Sequence, residues 1–158
     1  MNRLDNGSWI SRGSASRNEE FLVEKMNLED RVAITRAIIS MLDSWGVSAA
    51  NQITLLALPA GTRPGAIRQF RKSTPFPEDA GVMERIEHLV GIADALRTSY
   101  PRNAYMPSIW MNRINHRFDN RTPLAAMLED GLNGIMAVRT HLDCAYDWHI
   151  SGSAGQAK

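Results

Sequence analysis

A chain of 158 residues with 44% hydrophobic content and a net charge of +1 is long enough to bury a core without metal or disulfide support, as one domain or two small ones sharing a core. Its single cysteine, Cys144, excludes an intramolecular disulfide, and no apolar run approaches the roughly 20 residues that span a membrane. The opening MNRLDNGSWISRGS lacks the apolar centre of a signal peptide, so a cytoplasmic protein is expected.

Residues 1 to 24 are rich in Ser, Asn, Gly and charge without sustained periodicity and read as a mostly disordered arm, in which Trp9-Ile10 is an apolar exception. Asn27 then caps a helix whose apolar positions Ile34, Ile38, Met41, Leu42 and Trp45 recur at spacings of three and four, with Gly46 closing it. Ser48 starts a shorter helix that runs through Leu58 and stops at Pro59. A third covers Pro64 to Lys72, with the proline in its first turn. The longest, Glu78 to Thr98, aligns Val82, Ile86, Leu89, Val90, Ala93 and Leu96. Pro101 and Pro107 break the chain before a helix around Ile109-Trp110. Thr122-Pro123 is a cap followed by a first-turn proline, opening a helix that ends near Gly131. The last helix spans Leu132 to Trp148, and SGSAGQAK (151–158) reads as a flexible tail. Nothing alternates with period two, so the fold class is all-α.

Charge is unevenly placed along these helices. No acid falls between Asp43 and Glu78, where Arg63, Arg68, Arg71 and Lys72 lie. From Asp119 to Asp147 the balance reverses, with five acids against Arg121 and Arg139. Within the basic window, residues 47 to 73 place two short helices around a turn holding Gly61, the spacing of a helix-turn-helix. Ile53, Leu56, Ile67 and Phe70 face the core in that arrangement. Thr62, Arg63, Arg68, Gln69, Arg71 and Lys72 are then the candidate DNA-binding residues, Arg68 and Gln69 for base edges, Arg71 and Lys72 for phosphates. The competing reading is a solvated basic helix without a ligand; Pro59, Pro64 and Gly65 favour it by shortening both helices.

Three stretches carry a family likeness. ERIEHLVGIADALRTSYP (84–101), SIWMNRINHRF (108–118) and NRTPLAAMLEDGLNGIMAVRTHLD (120–143) resemble, in order and spacing, the long helix, the tryptophan helix and the Thr/Ser-Pro-Leu turn of the toxin-binding domain of the Xre/MbcA/ParS antitoxin family. Residues 47 to 73 resemble that family's DNA-binding half. The resemblance implies an Xre-like helix-turn-helix region over 25–77 and a small helical toxin-binding lobe over 78–150. It implies an antitoxin of a type II toxin-antitoxin system, a homodimer that neutralises a RES-type NAD-degrading toxin by direct binding and represses its own operon at operator DNA. Arg121, Arg139, Asp143 and Trp148 are the partner contacts expected on that lobe. Trp110, Thr122, Pro123 and Leu124 are read as residues that make its fold. A stand-alone helix-turn-helix regulator without a toxin is the alternative. The family commonly places glycine before the Arg-Ser/Thr-Pro step, where this chain has Phe118-Asp119-Asn120-Arg121. Asp and Asn tolerate left-handed backbone better than most residues, which would preserve the turn.

Catalytic chemistry has little to stand on. His141 and Cys144 have the i, i+3 spacing of zinc ligands, but His149 at i+8 is a loose match and no fourth ligand is evident. Cys144 sits beside Asp143 and Asp147, the wrong electrostatic setting for a thiolate nucleophile. No glycine-rich phosphate loop follows a strand. A non-enzyme without cofactor, metal or membrane association is expected.

Overall fold

The structure, a computed structural model, describes residues 26–154, with side chains as far as Ala145. The expected arm, 1–24, therefore falls outside the described residues. The fold is all-α: α1 (Leu28–Ser44), α2 (Ala49–Leu56), α3 (Ile67–Lys72), α4 (Ala80–Ser99), α5 (Met106–Met111), α6 (Pro123–Asp130) and α7 (Leu132–Ala154), with 3-10 turns at Pro64–Ala66 and His116–Phe118.

Local capping explains most helix starts. The side chains of Asn27, Asp79 and Thr122 accept from the backbone N–H three residues on, at 2.8, 3.0 and 3.0 Å. Ser48 does the same for Asn51 at 3.3 Å. Asp79 is therefore the cap of the long helix, which begins at Ala80 rather than at Glu78. Two helices end alike. Beyond α1, Gly46 N–H donates to Asp43 O and Val47 N–H to Leu42 O; beyond α2, Ala57 N–H donates to Thr54 O and Leu58 N–H to Ile53 O. Both are Schellman closures in which the residue after the left-handed one, Val47 or Leu58, turns back into the core. Ala57 takes the left-handed position at φ 51°, which is why α2 stops at Leu56 before the proline is reached.

Three further elements differ from the sequence reading. Pro64 and Gly65 form a 3-10 turn, so the basic helix proper has only the six residues Ile67–Lys72. Pro107 sits inside the first turn of α5 rather than breaking the chain before it, where its missing N–H is not needed. α7 continues past Trp148 to Ala154, into the stretch read as tail.

One core draws on both the 25–77 and the 78–150 spans. Leu42, Trp45, Leu55 and Ile67 belong to the same buried cluster as Leu89, Leu96, Met127 and Ile135. α4 lies along α7 and also touches α1, α2 and α5; α6 folds onto α7, and α3 rests on α1. Polar links cross the same seam. Asn112 Nδ2 donates to Trp45 O at 2.9 Å, and Arg85 Nη1 reaches Leu55 O at 3.5 Å. On α4 the buried stripe is Val82, Ile86, Leu89, Ile92 and Leu96. Val90 falls on its outer edge and is exposed, so Ile92 takes the place assigned to it.

The connection from α3 to α4 is pinned to α1. The buried Thr35 hydroxyl donates to Arg31 O at 2.9 Å and accepts from Phe76 N–H at 2.9 Å. Arg31 donates to Phe76 O at 3.1 Å and pairs with Glu78 at 3.1 Å. The Phe76 ring packs on Phe70, with centroids 5.2 Å apart.

Candidate functional surfaces

The first surface is the outer side of α3 and the turn before it. Arg63, Arg68, Gln69 and Lys72 are exposed, and none has an ion-pair or side-chain hydrogen-bond partner among the described residues. The other two members of the expected DNA-binding set are engaged within the fold. The Thr62 hydroxyl donates to Pro59 O at 2.6 Å and closes the turn. Arg71 grips Asp43 of α1 through both carboxylate oxygens, Nε to Oδ2 at 3.0 Å and Nη2 to Oδ1 at 2.8 Å.

Gln52 of α2 completes this contact. Its buried amide donates to Asp43 Oδ1 at 2.6 Å and to Val47 O at 3.0 Å. Arg71, and then Gln52, hold the Asp43 carboxyl below the usual carboxylate range against the opposing effect of burial. Arg71 is thus a strut joining α3 to α1, where sequence reasoning made it a phosphate anchor. Arg36 has the complementary history. No motif singled it out, yet its guanidinium donates to Lys72 O, with Nε at 2.7 Å, and brings a cation to the C-terminal end of α3. α2 and α3 meet chiefly through the Pro64–Ala66 turn, and α3 takes most of its support from α1.

The second surface is the corner between α5 and α6. Asp119 and Asn120 both adopt left-handed backbone, with φ 56° and 60°. The chain reverses there, and Asn115 N–H donates to Arg121 O at 3.0 Å across the loop. Thr122 caps α6 while Pro123, Leu124 and Met127 are buried beneath it. Trp110 meets Phe118 edge to face at 6.4 Å and stacks on His141 of α7 at 6.3 Å; Phe118 and His141 are 5.4 Å apart. His141, weighed in the sequence only as a metal ligand, closes an aromatic triad, whereas Cys144 one turn on is exposed.

Arg121 was expected to face a partner. Instead its Nε donates to Phe118 O at 3.1 Å, and its guanidinium reaches Glu129 and Asp130, each at 2.8 Å, with Asp119 at 3.7 Å. Asp130 foremost, then Glu129, raises the arginine further above its already high range, and in return Asp130 is held below the ordinary carboxylate value. The residue clamps the corner loop to the far end of α6. Arg139 and Asp143 belong to a different cluster on the α4–α7 seam. Arg139 Nη1 donates to His88 Nδ1 at 3.0 Å, Nε lies 4.0 Å from Asp143, and the guanidinium lies against Gly91. The Trp148 side chain lies outside the described residues. Among the described side chains, Arg121 thus belongs to the corner cluster, and Arg139 and Asp143 to the α4–α7 cluster. No helix of the described residues is long and apolar enough to cross a membrane.

His141 gives the corner a pH signature. Burial, and then the nearby charges of Arg117 and His116, push its pKa below the ordinary 6.5. The folded chain then binds fewer protons at this ring than the unfolded chain does in the window beneath 6.5. Stability contributed by the neutral ring is present above 6.5 and declines as pH falls through that window. Asp43 and Asp130 act in a separate, lower window, because their contribution is lost only as pH falls below about 3.8. Urea midpoints taken between pH 7.5 and pH 5 should decline, and His141→Gln should flatten the profile. An unchanged slope in the variant would assign the loss to other groups.

Compared with known proteins, the chain matches no protein-family model and no curated relative.

Proposed function

We propose that the protein is an antitoxin, which contacts operator DNA through the segment 62–72 and a toxin protein through the helical lobe built around the Trp110 corner. The observation that carries the DNA half is the outward set of Arg68, Gln69 and Lys72 on α3 and Arg63 before its 3-10 turn, the helix being braced from behind by Arg71–Asp43 and Arg36. Bracing lowers the ordering cost of presenting these side chains to a duplex. The toxin half rests on the resemblance of residues 84–143. The left-handed Asp119-Asn120 pair supports it, because it makes the reversal that glycine commonly makes in the family. The partner's class, a RES-type NAD-degrading enzyme, rests on the resemblance alone.

Titrating the NAD-consuming activity of a RES-type toxin encoded beside this protein tests the reading. Saturable inhibition at a fixed ratio is expected; no inhibition together with no complex on size exclusion would exclude the toxin. The stand-alone regulator then becomes the reading, and the internal use of Arg121 favours it, since a residue expected at the toxin interface is already engaged.

On promoter DNA, Arg68→Ala should weaken binding by about 1–3 kcal/mol while changing random-sequence binding less, and Lys72→Ala should weaken both alike. Equal loss on both DNAs for Arg68→Ala would remove it from base recognition. Arg71→Ala is expected to act through the fold, showing a loss of stability that Arg68→Ala lacks.

A further inference from the structure

Between α1 and the start of α4 runs an apolar groove of about 310 Å³, lined by Met26, Ile34, Phe76, Pro77, Met83 and Ile86 among others. Ile34 is 38% exposed and Met83 42%, each one helical turn before a buried isoleucine, Ile38 and Ile86. The polar groups at its edge are already engaged: Arg31 with Glu78 and Phe76 O, and Thr35 with Arg31 O and Phe76 N–H. A groove with apolar walls and satisfied polar neighbours selects an apolar occupant, because a polar ligand would be desolvated without recompense.

We propose that the occupant is this chain's own Phe21-Leu22-Val23. Met26 is at once a lining residue of the groove and the point where residues 1–25 join the described chain. Phe21, Leu22 and Val23 stand five, four and three residues before it and form an apolar run flanked by Glu19, Glu20, Glu24 and Lys25. At roughly 3.3–3.6 Å per extended residue, a five-residue tether spans up to roughly 17 Å, enough to fold the run back over Ile34 and Met83. So short a tether sets an effective concentration in the millimolar range, which lets a modest apolar contact form where a free peptide would not. Trp9-Ile10 lies much further along the arm and has no such advantage.

The test uses the full-length chain labelled with ¹³C at the methionine methyls, beside a full-length variant carrying Phe21→Ser, Leu22→Ser and Val23→Ser. The Met83 methyl resonance is expected to move between the two proteins. The Met127 methyl, buried at the α6–α7 contact, should stay in place and thereby report an intact fold. A peptide of residues 17–25 added to the variant should return Met83 toward its original position. Coincident Met83 signals in the two proteins would overturn the proposal. A Met83 shift that vanishes on dilution of the unsubstituted chain would overturn it too, by assigning the groove to the arm of a second copy.

Discussion

Gly134→Ala should destabilise the protein by about 3 kcal/mol, reversing the usual effect of that substitution. In an open helix interior, alanine is favoured over glycine by up to about 1 kcal/mol, because glycine loses more backbone freedom on folding. Here the added Cβ would collide with Ala126 O and lie 2.9 Å from Ala126 C and 3.0 Å from Met127 Cα. All three are backbone atoms of α6, so no rotamer change relieves the contact and the two helices must separate. The junction of α6 and α7 permits so close an approach because only Gly131 separates the two helices. A fall in Tm of roughly 6–12 °C is expected for a chain of this size, with an unchanged denaturant m-value. Gly91→Ala provides the contrast. Its Cβ would meet the Arg139 guanidinium 2.7 Å away, a mobile end that can swing aside, so the cost should be small. Equal stability of Gly134→Ala and the unsubstituted protein would show that the two helices have room to part.

Trp45→Ala should cost about 3–5 kcal/mol, the range for emptying a large buried aromatic site. The residue is 2% exposed and its carbonyl accepts from Asn112, so the same position fills the core and ties the end of α1 to the end of α5. For a protein whose total stability is on the order of 5–15 kcal/mol, this is a large fraction. Loss of helical signal and loss of protease resistance should coincide in a denaturant series. A loss below about 1 kcal/mol would mean that the core closes over the gap.

Much of the helical frame was readable because its determinants are local. A cap bonds to an N–H three residues away, so Asn27, Ser48 and Thr122 announce their helices from the sequence alone. Burial of Ile38, Leu42, Leu56, Ile67 and Phe70 followed from spacing in the same way. The all-α class needed only the absence of period-two runs.

The fate of the arginines was not readable. Arg71 finds Asp43 across 28 residues, and Arg139 finds His88 across 51. A charge that is solvated in one packing is a strut in another, and no local pattern distinguishes the two. Arg121 lies within nine residues of Asp130, yet their pairing depends on the Asp119-Asn120 reversal. The candidate site was thus legible as a list of polar and cationic side chains and only partly as a surface: Arg63, Arg68, Gln69 and Lys72 remain outward, while Thr62, Arg71 and Arg121 are engaged within the fold. Val90 was misplaced because two positions on α4 fit the apolar stripe and only packing against α7 decides between them.

The single core spanning both segments makes the lifetime of the chain a joint property. A partner that binds only the folded state raises its stability by RT ln(1 + [L]/Kd), and because Trp45, Leu55 and Ile67 share a cluster with Leu89 and Ile135, that gain is not confined to the segment it touches. DNA held at α3 would slow degradation of the corner, and a protein bound at the corner would slow degradation of α3. On the proposed reading, a copy without either partner would be the one a protease removes first, and the amount of this protein would follow the amount of what it binds.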